Sequence, residues 1–346
     1  MHVLDPLTAA DERALAAVLD EHFDVEAVHW QRLGGELDIN YRATLADGGA
    51  RFVRLSPTPL DEATFAWQNA VLEQLEERPL PVATPVLQRA ADGSVAKPFV
   101  ARDGRALRAR VTSWVAGTSV AELGGTDAAY RRSLGALAAE VPRSLHPLAE
   151  RHDGQNLHHW MADRAGDSIR STWDAVIDPA RRALLEEVLR RFDVIEPKLS
   201  TLPRAVVHQD LHDFNLLAER RQDGAVSIMG IVDFNDAVAT VRIAELAVAA
   251  AYAALRQGDA FAAFADVVSG YVAHCSLTAE EIEVLYPLAV ARLAVNASTW
   301  THRGREGNRA YAEARMAATW PALEQLLRVA PAEAAARFAA EPLPER

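Results

Sequence analysis

A dense group of polar residues in the second half of the chain follows an apolar pair, Val206-Val207. The next eight positions include His208, Asp210, His212, Asp213 and Asn215. An Asp-Gly pair at positions 223–224 is typical of a tight turn, and a second apolar run then ends on Asp233. The pattern predicts a hairpin of two short strands, with Asn215 where one strand begins and Asp233 where the other ends.

This hairpin is expected to bring three oxygen-bearing side chains, Asp210, Asn215 and Asp233, around one small volume. Mg²⁺ takes oxygen ligands and is usually held by one or two carboxylates together with phosphates. Asn215 and Asp233 are therefore the candidate metal ligands. Asp210, five residues before Asn215, is the candidate acceptor of a proton from a substrate hydroxyl, as in phosphoryl transfer.

The spacing H-x-D-x-x-x-x-N, followed by an apolar strand and D-F-x-D, resembles the catalytic core of the aminoglycoside phosphotransferase and choline kinase superfamily. The resemblance implies an α+β, bilobal protein-kinase-like fold, with a small antiparallel sheet and one helix in the N-lobe and a larger, mostly helical C-lobe. It makes Asp210 the catalytic base, Asn215 and Asp233 the Mg²⁺ ligands, and His208 a structural member of the catalytic loop. ATP or GTP is the implied co-substrate.

Two positions depart from the pattern of this superfamily. Gln209 and Asn235 both stand where its members usually have Gly. Asn tolerates left-handed backbone angles better than most residues, so Asn235 is a mild change. Gln209 predicts a slightly remodelled loop unless its backbone angles are ordinary.

The first part of the chain reads as a leading helix from Thr8 and then three strands, with a turn at Asp47-Gly48-Gly49 between the second and third. In a kinase-like N-lobe, backbone N–H groups of the first hairpin cover the nucleotide phosphates. The resemblance places this role on Gly34 to Asn40, with Gly35 and Asn40 as nucleotide contacts. We expect residues 1–115 to form the nucleotide-binding N-lobe.

The third strand carries Arg54 where the family usually has Lys, and Arg can hold phosphates as a planar fork. The helix expected from Asp61 to Glu77 offers Glu62 and Glu73 as partners for Arg54, and Glu62 is preferred because it lies near the helix start. The stretch from Val111 to Gly117 resembles the hinge that recognises the purine. Thr112 and Trp114 are its candidate contacts.

Residues 116–346 are expected to form the C-lobe, with the catalytic loop and the acceptor site. Apolar residues at helical intervals predict a helix from Pro179 to about Glu196, stopped by Pro197 and central to this lobe, and the tail from Pro331 predicts a peripheral helix. The adjacent His158 and His159 are interpreted as surface or acceptor-side residues and not as a metal site. Candidates for acceptor contacts are His212, Asp213, Arg242, Glu245 and Arg292.

Composition narrows the class of partner. The 346 residues are half hydrophobic, and the formal net charge of −12 argues against nucleic acid or an anionic membrane as the main partner. No signal-peptide pattern or run of about 18 apolar residues is present. The single cysteine, Cys275, suits a reducing compartment, so a cytoplasmic protein is expected. Oligomeric state is left open.

Several C-terminal segments resemble hydroxylysine-kinase-like phosphotransferases: Gly270-Tyr271, Ala291-Arg292-Leu293, and Asn308 with Tyr311. The implied activity is transfer of the γ-phosphoryl group of ATP or GTP to a hydroxyl of a small amino alcohol or hydroxy-amino acid. A homoserine, choline, ethanolamine or aminoglycoside kinase is the alternative within the same class. A pseudokinase or nucleotide-binding module is the alternative of another class, favoured by Arg54 and Gln209 and opposed by the intact Asp210, Asn215 and Asp233.

Overall fold

The computed structural model of the chain describes residues 6–35, 38–58, 61–151, 157–307 and 309–341. Glu36 and Leu37 of the predicted phosphate-covering turn, Asn308, and the end of the predicted C-terminal helix lie outside these ranges. The chain divides into two compact units. The first comprises Met1–Pro79 and Ala83–Ala116, and the second comprises Leu80–Val82 and Gly117–Arg346. The roles assigned above to residues 1–115 and 116–346 stay predictions.

The first unit is built on an antiparallel sheet. Its strands are β1 (Ala27–Leu33), β2 (Ile39–Leu45), β3 (Ala50–Pro57), β4 (Leu87–Gln88), β5 (Lys97–Val100) and β6 (Ala106–Ser113). They lie in the order β1-β2-β3-β6-β4, and β5 also pairs with β6. The turn between β2 and β3 has Gly48 at a φ of 84°, a left-handed angle that glycine adopts without strain.

Two helices accompany this sheet, α1 (Ala9–Phe23) and α2 (Glu62–Glu77). Thr8 and Asp11 form a capping box at the start of α1, which satisfies backbone N–H groups that have no partner within the helix. The apolar face of α1 buries Leu15, Leu19 and Phe23 in one core cluster with residues of the sheet. Burial of this face orders the unit through the hydrophobic effect.

The second unit contains two small sheets around the polar segment. Its strands are β7 (Thr118–Ser119), β8 (Arg204–Val207), β9 (Leu216–Arg220), β10 (Val226–Ile231) and β11 (Val238–Val241). β9 pairs antiparallel with β10, with β7 on its other side, and β8 pairs with β11. The predicted hairpin is therefore present, with Asn215 directly before β9 and Asp233 two residues after β10.

Helices make up most of the second unit. They are α3 (Val120–Leu123), α4 (Ala128–Ser144), α5 (Ala165–Ser171), α6 (Pro179–Leu199), α7 (Ile243–Ala253), α8 (Ala260–Val272), α9 (Ala279–Glu306), α10 (Arg309–Met316), α11 (Thr319–Leu326) and α12 (Pro331–Ala339). No helix among the described residues is both long and apolar enough to cross a bilayer.

The central helix of the second unit is α9 and not α6 as predicted. α9 packs against α5, α6, α7, α10, α11 and α12, and residues 284–295 are buried on all sides. α6 buries one face, and it continues through Pro197 to Leu199. A helix that is apolar all round belongs in the interior, whereas an amphipathic one lies at the periphery.

Candidate active site

The polar segment from His208 to Asn215 is a loop anchored at both ends by strands. Its backbone turns tightly, with the His212 N–H donating to the Asp210 carbonyl at 2.9 Å and the Asn215 N–H donating to the His212 carbonyl at 3.0 Å. The Val232 N–H donates to the Asn215 carbonyl at 3.0 Å. The structure thus places Asn215 beside the chain that leads into Asp233, as predicted from the spacing.

The carboxylate of Asp210 is held by three side chains. Asn215 Nδ2 donates to Oδ2 at 3.0 Å, and His212 Nε2 lies 3.1 Å from the same oxygen. Arg292, on α9, donates to Oδ1 at 3.1 Å. About a fifth of the Asp210 side chain is exposed, at 21%, so a substrate hydroxyl can still reach it.

The charge of Asp210 is stabilised by its neighbours. Burial opposes ionisation, but His212 and Arg292 outweigh it and hold the pKa of this carboxyl well below its usual range. Asp210 is therefore ionised at neutral pH. An ionised carboxylate can only accept hydrogen bonds.

His208 connects this loop to the segment after β10 through hydrogen bonds of its ring. Its ring is fully buried, Nδ1 accepts from the Asp210 N–H at 3.2 Å, and Nε2 donates to the Val232 carbonyl at 3.0 Å. Burial lowers the pKa of His208, so the ring is neutral. Its ring centroid lies 4.5 Å from that of Phe234. These contacts make His208 a positioning residue, which is the structural role expected for it.

Two left-handed residues shape the site. Gln209 has a φ of 69° and Asp233 a φ of 66°, a region that costs most L-residues roughly 1–2 kcal/mol. Gln209 thus adopts the left-handed backbone angle that glycine favours, and a slightly remodelled loop stays a prediction. Asn235 lies in a 3₁₀ turn, Phe234–Asp236, and needs no left-handed angle. The residue that needs one in this segment is Asp233.

Asn215 and Asp233 provide the oxygens suited to a cation. The amide nitrogen of Asn215 is bonded to Asp210, so its carbonyl oxygen is the atom suited to a cation. The described residues contain no group of three or more His, Cys, Asp or Glu arranged to hold a metal. One amide oxygen and one carboxylate fit Mg²⁺ that shares its remaining positions with phosphates and water.

Glu245 is not an acceptor contact. It is fully buried at the start of α7, and its carboxylate accepts a hydrogen bond from the His208 N–H at 2.5 Å. Burial raises the pKa of Glu245 to about 8. Glu245 therefore holds the backbone of His208 in place through this hydrogen bond.

The other acceptor candidates are also engaged in the protein. Arg242 pairs with Glu281 at 2.7 Å, beside the capping box at the start of α9. Asp213 pairs with Arg256 at 2.6 Å and lines a cavity of about 140 Å³ with His212. Arg292 is only 1% exposed. Of the five candidates, His212 and Asp213 alone line this cavity.

In the first unit, Arg54 lies on β3 and is largely buried. Its NH1 is 3.6 Å from the Asp38 carboxylate, on the turn predicted to cover phosphates. In that turn Asn40 Nδ2 donates to the Gly34 carbonyl at 2.9 Å, and a Cβ on Gly35 would overlap the Asp38 carbonyl. Gly35 therefore has no room for a side chain.

Glu62 does not pair with Arg54, which corrects the preferred pairing. Its side chain is 80% exposed and forms an ion pair with Arg108. Glu73, the other candidate, pairs with Arg89. The buried face of α2 carries amides at 68 and 69, and Asn69 accepts a hydrogen bond from Arg110 at 2.8 Å.

The two predicted purine contacts differ in their surroundings. Thr112 is buried in β6 between β3 and β4, where it pairs with Phe52 and Leu87. Trp114 follows the end of β6, and the guanidinium of Arg42 lies 4.7 Å from its ring centroid. Thr112 is therefore paired on both sides within the sheet, and the purine contacts at Thr112 and Trp114 stay predictions.

A sequence model of the phosphotransferase enzyme family, APH, matches residues 29–271, which is more than half of the chain. The chain belongs to this phosphotransferase family. The predicted family and the predicted enzyme class, a phosphotransferase with an alcohol group as acceptor, are therefore confirmed.

Two curated relatives of this phosphotransferase are hydroxylysine kinases. The Mus musculus protein is 22% identical over 304 residues, covering 81% of this chain and 79% of the relative. The Xenopus laevis protein is 28% identical over 130 residues, and the match spans only 36% of this chain and 35% of the relative.

Two solved structures share the fold of this phosphotransferase. The amicoumacin kinase hAmiN, in complex with AMP-PNP and Ca²⁺, superposes with a TM-score of 0.63 at 16% identity, over 92% of this chain and 93% of that chain. The microcompartment-associated aminopropanol kinase gives a TM-score of 0.63 at 16% identity, over 91% and 97%. The predicted α+β, protein-kinase-like fold is confirmed.

The phosphotransferase has aromatic and cationic side chains near Asp210 that sequence reasoning missed. Tyr252 belongs to no recognisable sequence motif. Its hydroxyl accepts a hydrogen bond from Arg292 at 2.9 Å, and its ring centroid lies 5.1 Å from that of His212. The guanidinium of Arg315 lies 4.3 Å from the ring centroid of Phe214, in the catalytic loop. These residues come from distant parts of the chain, so no spacing in the sequence links them.

The histidine pair of the phosphotransferase is bonded within the protein. His158 Nε2 lies 3.2 Å from the Asp236 carbonyl, and His159 Nε2 lies 2.7 Å from the Thr299 hydroxyl. Burial, with Arg303 nearby, lowers the pKa of His159 to about 4. Both rings therefore take part in hydrogen bonds within the protein.

Proposed function

We propose that this phosphotransferase is a small-molecule kinase that transfers the γ-phosphoryl group of ATP or GTP to a hydroxyl of an amino alcohol or hydroxy-amino acid. The observation that carries the proposal is the group formed by Asp210, Asn215 and Asp233. Similarity to two hydroxylysine kinases supports a hydroxy-amino acid, and fold similarity to an aminopropanol kinase is compatible with an amino alcohol.

Asp210 is proposed to receive the hydrogen bond of the acceptor hydroxyl. The hydroxyl oxygen attacks the γ-phosphorus, the bond between that phosphorus and the β–γ bridging oxygen breaks, and the hydroxyl proton passes to Asp210. Because Asn215, His212 and Arg292 fix both carboxylate oxygens, the hydroxyl is oriented before the reaction begins. Such positioning accounts for much of the rate in phosphoryl transfer.

Asn215 and Asp233 are proposed to hold Mg²⁺, which when bound neutralises charge on the transferring phosphates. The left-handed backbone of Asp233 turns the chain sharply out of β10 and into the 3₁₀ turn that follows. In the first unit, Arg54 and the turn around Gly35 and Asn40 are proposed to contact the nucleotide phosphates, and Trp114 its purine.

The first experiment is an acceptor panel with purified protein. Release of ADP or GDP is measured with Mg²⁺ and either ATP or GTP, in the presence of hydroxylysine, homoserine, ethanolamine, aminopropanol, choline or kanamycin. We expect one hydroxy-amino acid or amino alcohol to stimulate release far above the acceptor-free rate, and Asp210→Asn to abolish that stimulation. Nucleotide binding without stimulation by any acceptor would instead support a nucleotide-binding module.

A further inference from the structure

Three arginines and five aromatic rings of the second unit lie together near Asp210. We call this group the arginine–aromatic cluster, and it consists of Arg292, Arg303, Arg315, Trp160, Phe214, Tyr252, Trp300 and Tyr311. Arg292 lies between the rings of Trp160 and Tyr252, at 5.1 and 5.2 Å from their centroids. The cluster therefore concentrates positive charge in a protein whose net charge is −12.

The cluster is joined to the catalytic loop by direct contacts. Arg292 bonds both Asp210 and Tyr252, at 3.1 and 2.9 Å. Phe214, four residues after Asp210, is 39% exposed and lies under the guanidinium of Arg315. The ring of Phe214 therefore links Arg315 to the loop that carries Asp210.

Arg315 differs from Arg292 in what balances its charge. Arg292 is buried and pairs with Asp210. Arg315 is half-buried among the rings of Phe214, Trp300 and Tyr311, at 4.3, 5.5 and 6.0 Å. Across the described part of the chain, no carboxylate lies within ion-pair distance of Arg315, and no residue accepts a hydrogen bond from its guanidinium.

Aromatic faces stabilise a guanidinium only modestly, by roughly 0.5–2 kcal/mol, and they leave its N–H edge for a planar anion. A carboxylate matches that edge with two parallel hydrogen bonds. We propose that the acceptor of this kinase carries a carboxylate and that Arg315 binds it, which makes Arg315 a specificity-determining residue. The proposal rests on the proposed function and narrows its acceptor from amino alcohols to hydroxy acids that bear an amino group.

The same charge disfavours other acceptors of the family. A polycationic aminoglycoside meets repulsion from Arg315, and a simple amino alcohol gains nothing from it. Selection therefore works through an attractive contact for a carboxylate and a repulsive one for extra ammonium groups.

The test compares acceptors that differ only in the carboxylate. Hydroxylysine is paired with its decarboxylated diamino alcohol, and homoserine with the corresponding amino alcohol, and kcat/KM is measured for each. We expect the wild-type enzyme to prefer the carboxylate-bearing member of the productive pair by roughly 10- to 100-fold, the effect of a hydrogen bond to a charged group. Arg315→Gln should abolish the preference by raising KM for that member alone, with kcat little changed.

Two further variants control this test. Arg315→Lys keeps the cation but loses the planar fork, so we expect a reduced preference, and it serves as the test variant if Arg315→Gln does not fold. Arg309→Gln changes an exposed arginine of the same helix and should leave the preference intact. Equal use of both members by the wild-type enzyme, or an unchanged preference in both Arg315 variants, would overturn the proposal while leaving the kinase assignment standing. Absence of turnover with every acceptor would overturn both.

Discussion

At the scale of single residues, Asp210 is unusual in being bound by groups on both of its oxygens. Arg292 and His212 make its carboxylate a weak base, so in the proposed reaction its main contribution is to orient the hydroxyl whose proton it then receives. This predicts that Asp210→Asn lowers kcat by about 10³-fold, within the range of a positioned acid or base, while nucleotide affinity changes by only a few-fold. Steady-state kinetics and nucleotide titration measure the two effects.

The control for Asp210→Asn concerns folding. Removal of one partner from a buried ion pair leaves Arg292 without its counter-charge, which costs about 3–5 kcal/mol in comparable pairs. Thermal unfolding of the variant should therefore show a lower melting temperature but a single native transition. Strong turnover by a folded Asp210→Asn protein would remove Asp210 from the reaction.

Glu245 predicts how stability depends on pH. Its pKa is raised by burial from about 4.5 to about 8, so the folded state binds more protons than the unfolded state across this window. The free energy of unfolding should therefore fall as pH rises from about 5 to 8, by about 1.4 kcal/mol for each unit of pKa difference. Glu245→Gln, which can still accept from the His208 N–H, should flatten that slope in urea titrations.

Glu219→Gln removes one exposed carboxylate and controls for the change in net charge. An equally steep fall in stability in the Glu245→Gln and wild-type proteins would show that Glu245 is ionised in the folded state. In that case the hydrogen bond from the His208 N–H, and not burial, has the larger effect on the pKa of Glu245.

Substitutions at Gln209 allow the energetic cost of its left-handed backbone to be measured. Its side chain is fully buried, and neither end of its amide finds a partner within the described residues. Ala normally stabilises a chain relative to Gly by 0.4–1 kcal/mol, but at a φ of 69° the order should reverse. We therefore expect Gln209→Gly to be more stable than Gln209→Ala by about 1 kcal/mol in urea unfolding. The usual order, with Ala more stable, would mean that the loop changes its backbone angle.

At the scale of elements, local sequence signals predicted the helices and the hairpin whose formation depends on residues close together in the chain. The hairpin of β9 and β10, the start of α1 after Thr8, and α2 all follow from turn residues, caps and apolar periodicity. The pairing of β8 with β11 and the central place of α9 did not, because both depend on contacts between distant segments. Periodicity indicates which face of a helix is apolar, but not which helix covers it.

The crossing of α4 and α8 gives a packing reason for one part of the hydroxylysine-kinase-like pattern. A Cβ on Gly270 would overlap the backbone carbonyl of Arg132, and one on Gly135 would overlap that of Val267. Gly270→Ala should therefore destabilise the protein by about 3 kcal/mol, the effect of severe overpacking. Gly258→Ala, where the added Cβ meets no atom within 4 Å, is the matched control and should change stability by less than about 0.5 kcal/mol. Similar unfolding midpoints for the two variants would contradict a tight crossing.

At the scale of the whole molecule, the sequence predicted the site residues that lie near one another in the chain, but not those that come from distant helices. The spacing of Asp210, Asn215 and Asp233 predicted their proximity because one hairpin and the loop that leads into it carry all three. Arg292 was predicted only as a candidate acceptor contact, and Arg315 was not identified, because α9 and α10 lie far along the chain from the catalytic loop. With a net charge of −12, the protein as a whole repels phosphates and carboxylates, so their binding must depend on such local cations.

The proposed Mg²⁺ ligands can be tested through thermal stability. A cation that binds to both the protein and the nucleotide makes the stability of the folded chain depend on Mg²⁺ and on nucleotide together. A ligand at 100 times its Kd stabilises the folded state by about 2.7 kcal/mol, and Mg²⁺ should increase the nucleotide's effect on the melting temperature of the wild-type protein. Asp233→Ala should lose the Mg²⁺ increment and keep the nucleotide's own effect. Asp233→Asn should behave similarly with less loss of stability, since Asn tolerates the left-handed backbone. Asp210→Asn retains both proposed ligands and should keep the increment, so its loss in that variant, or its survival in Asp233→Ala, would place the cation elsewhere.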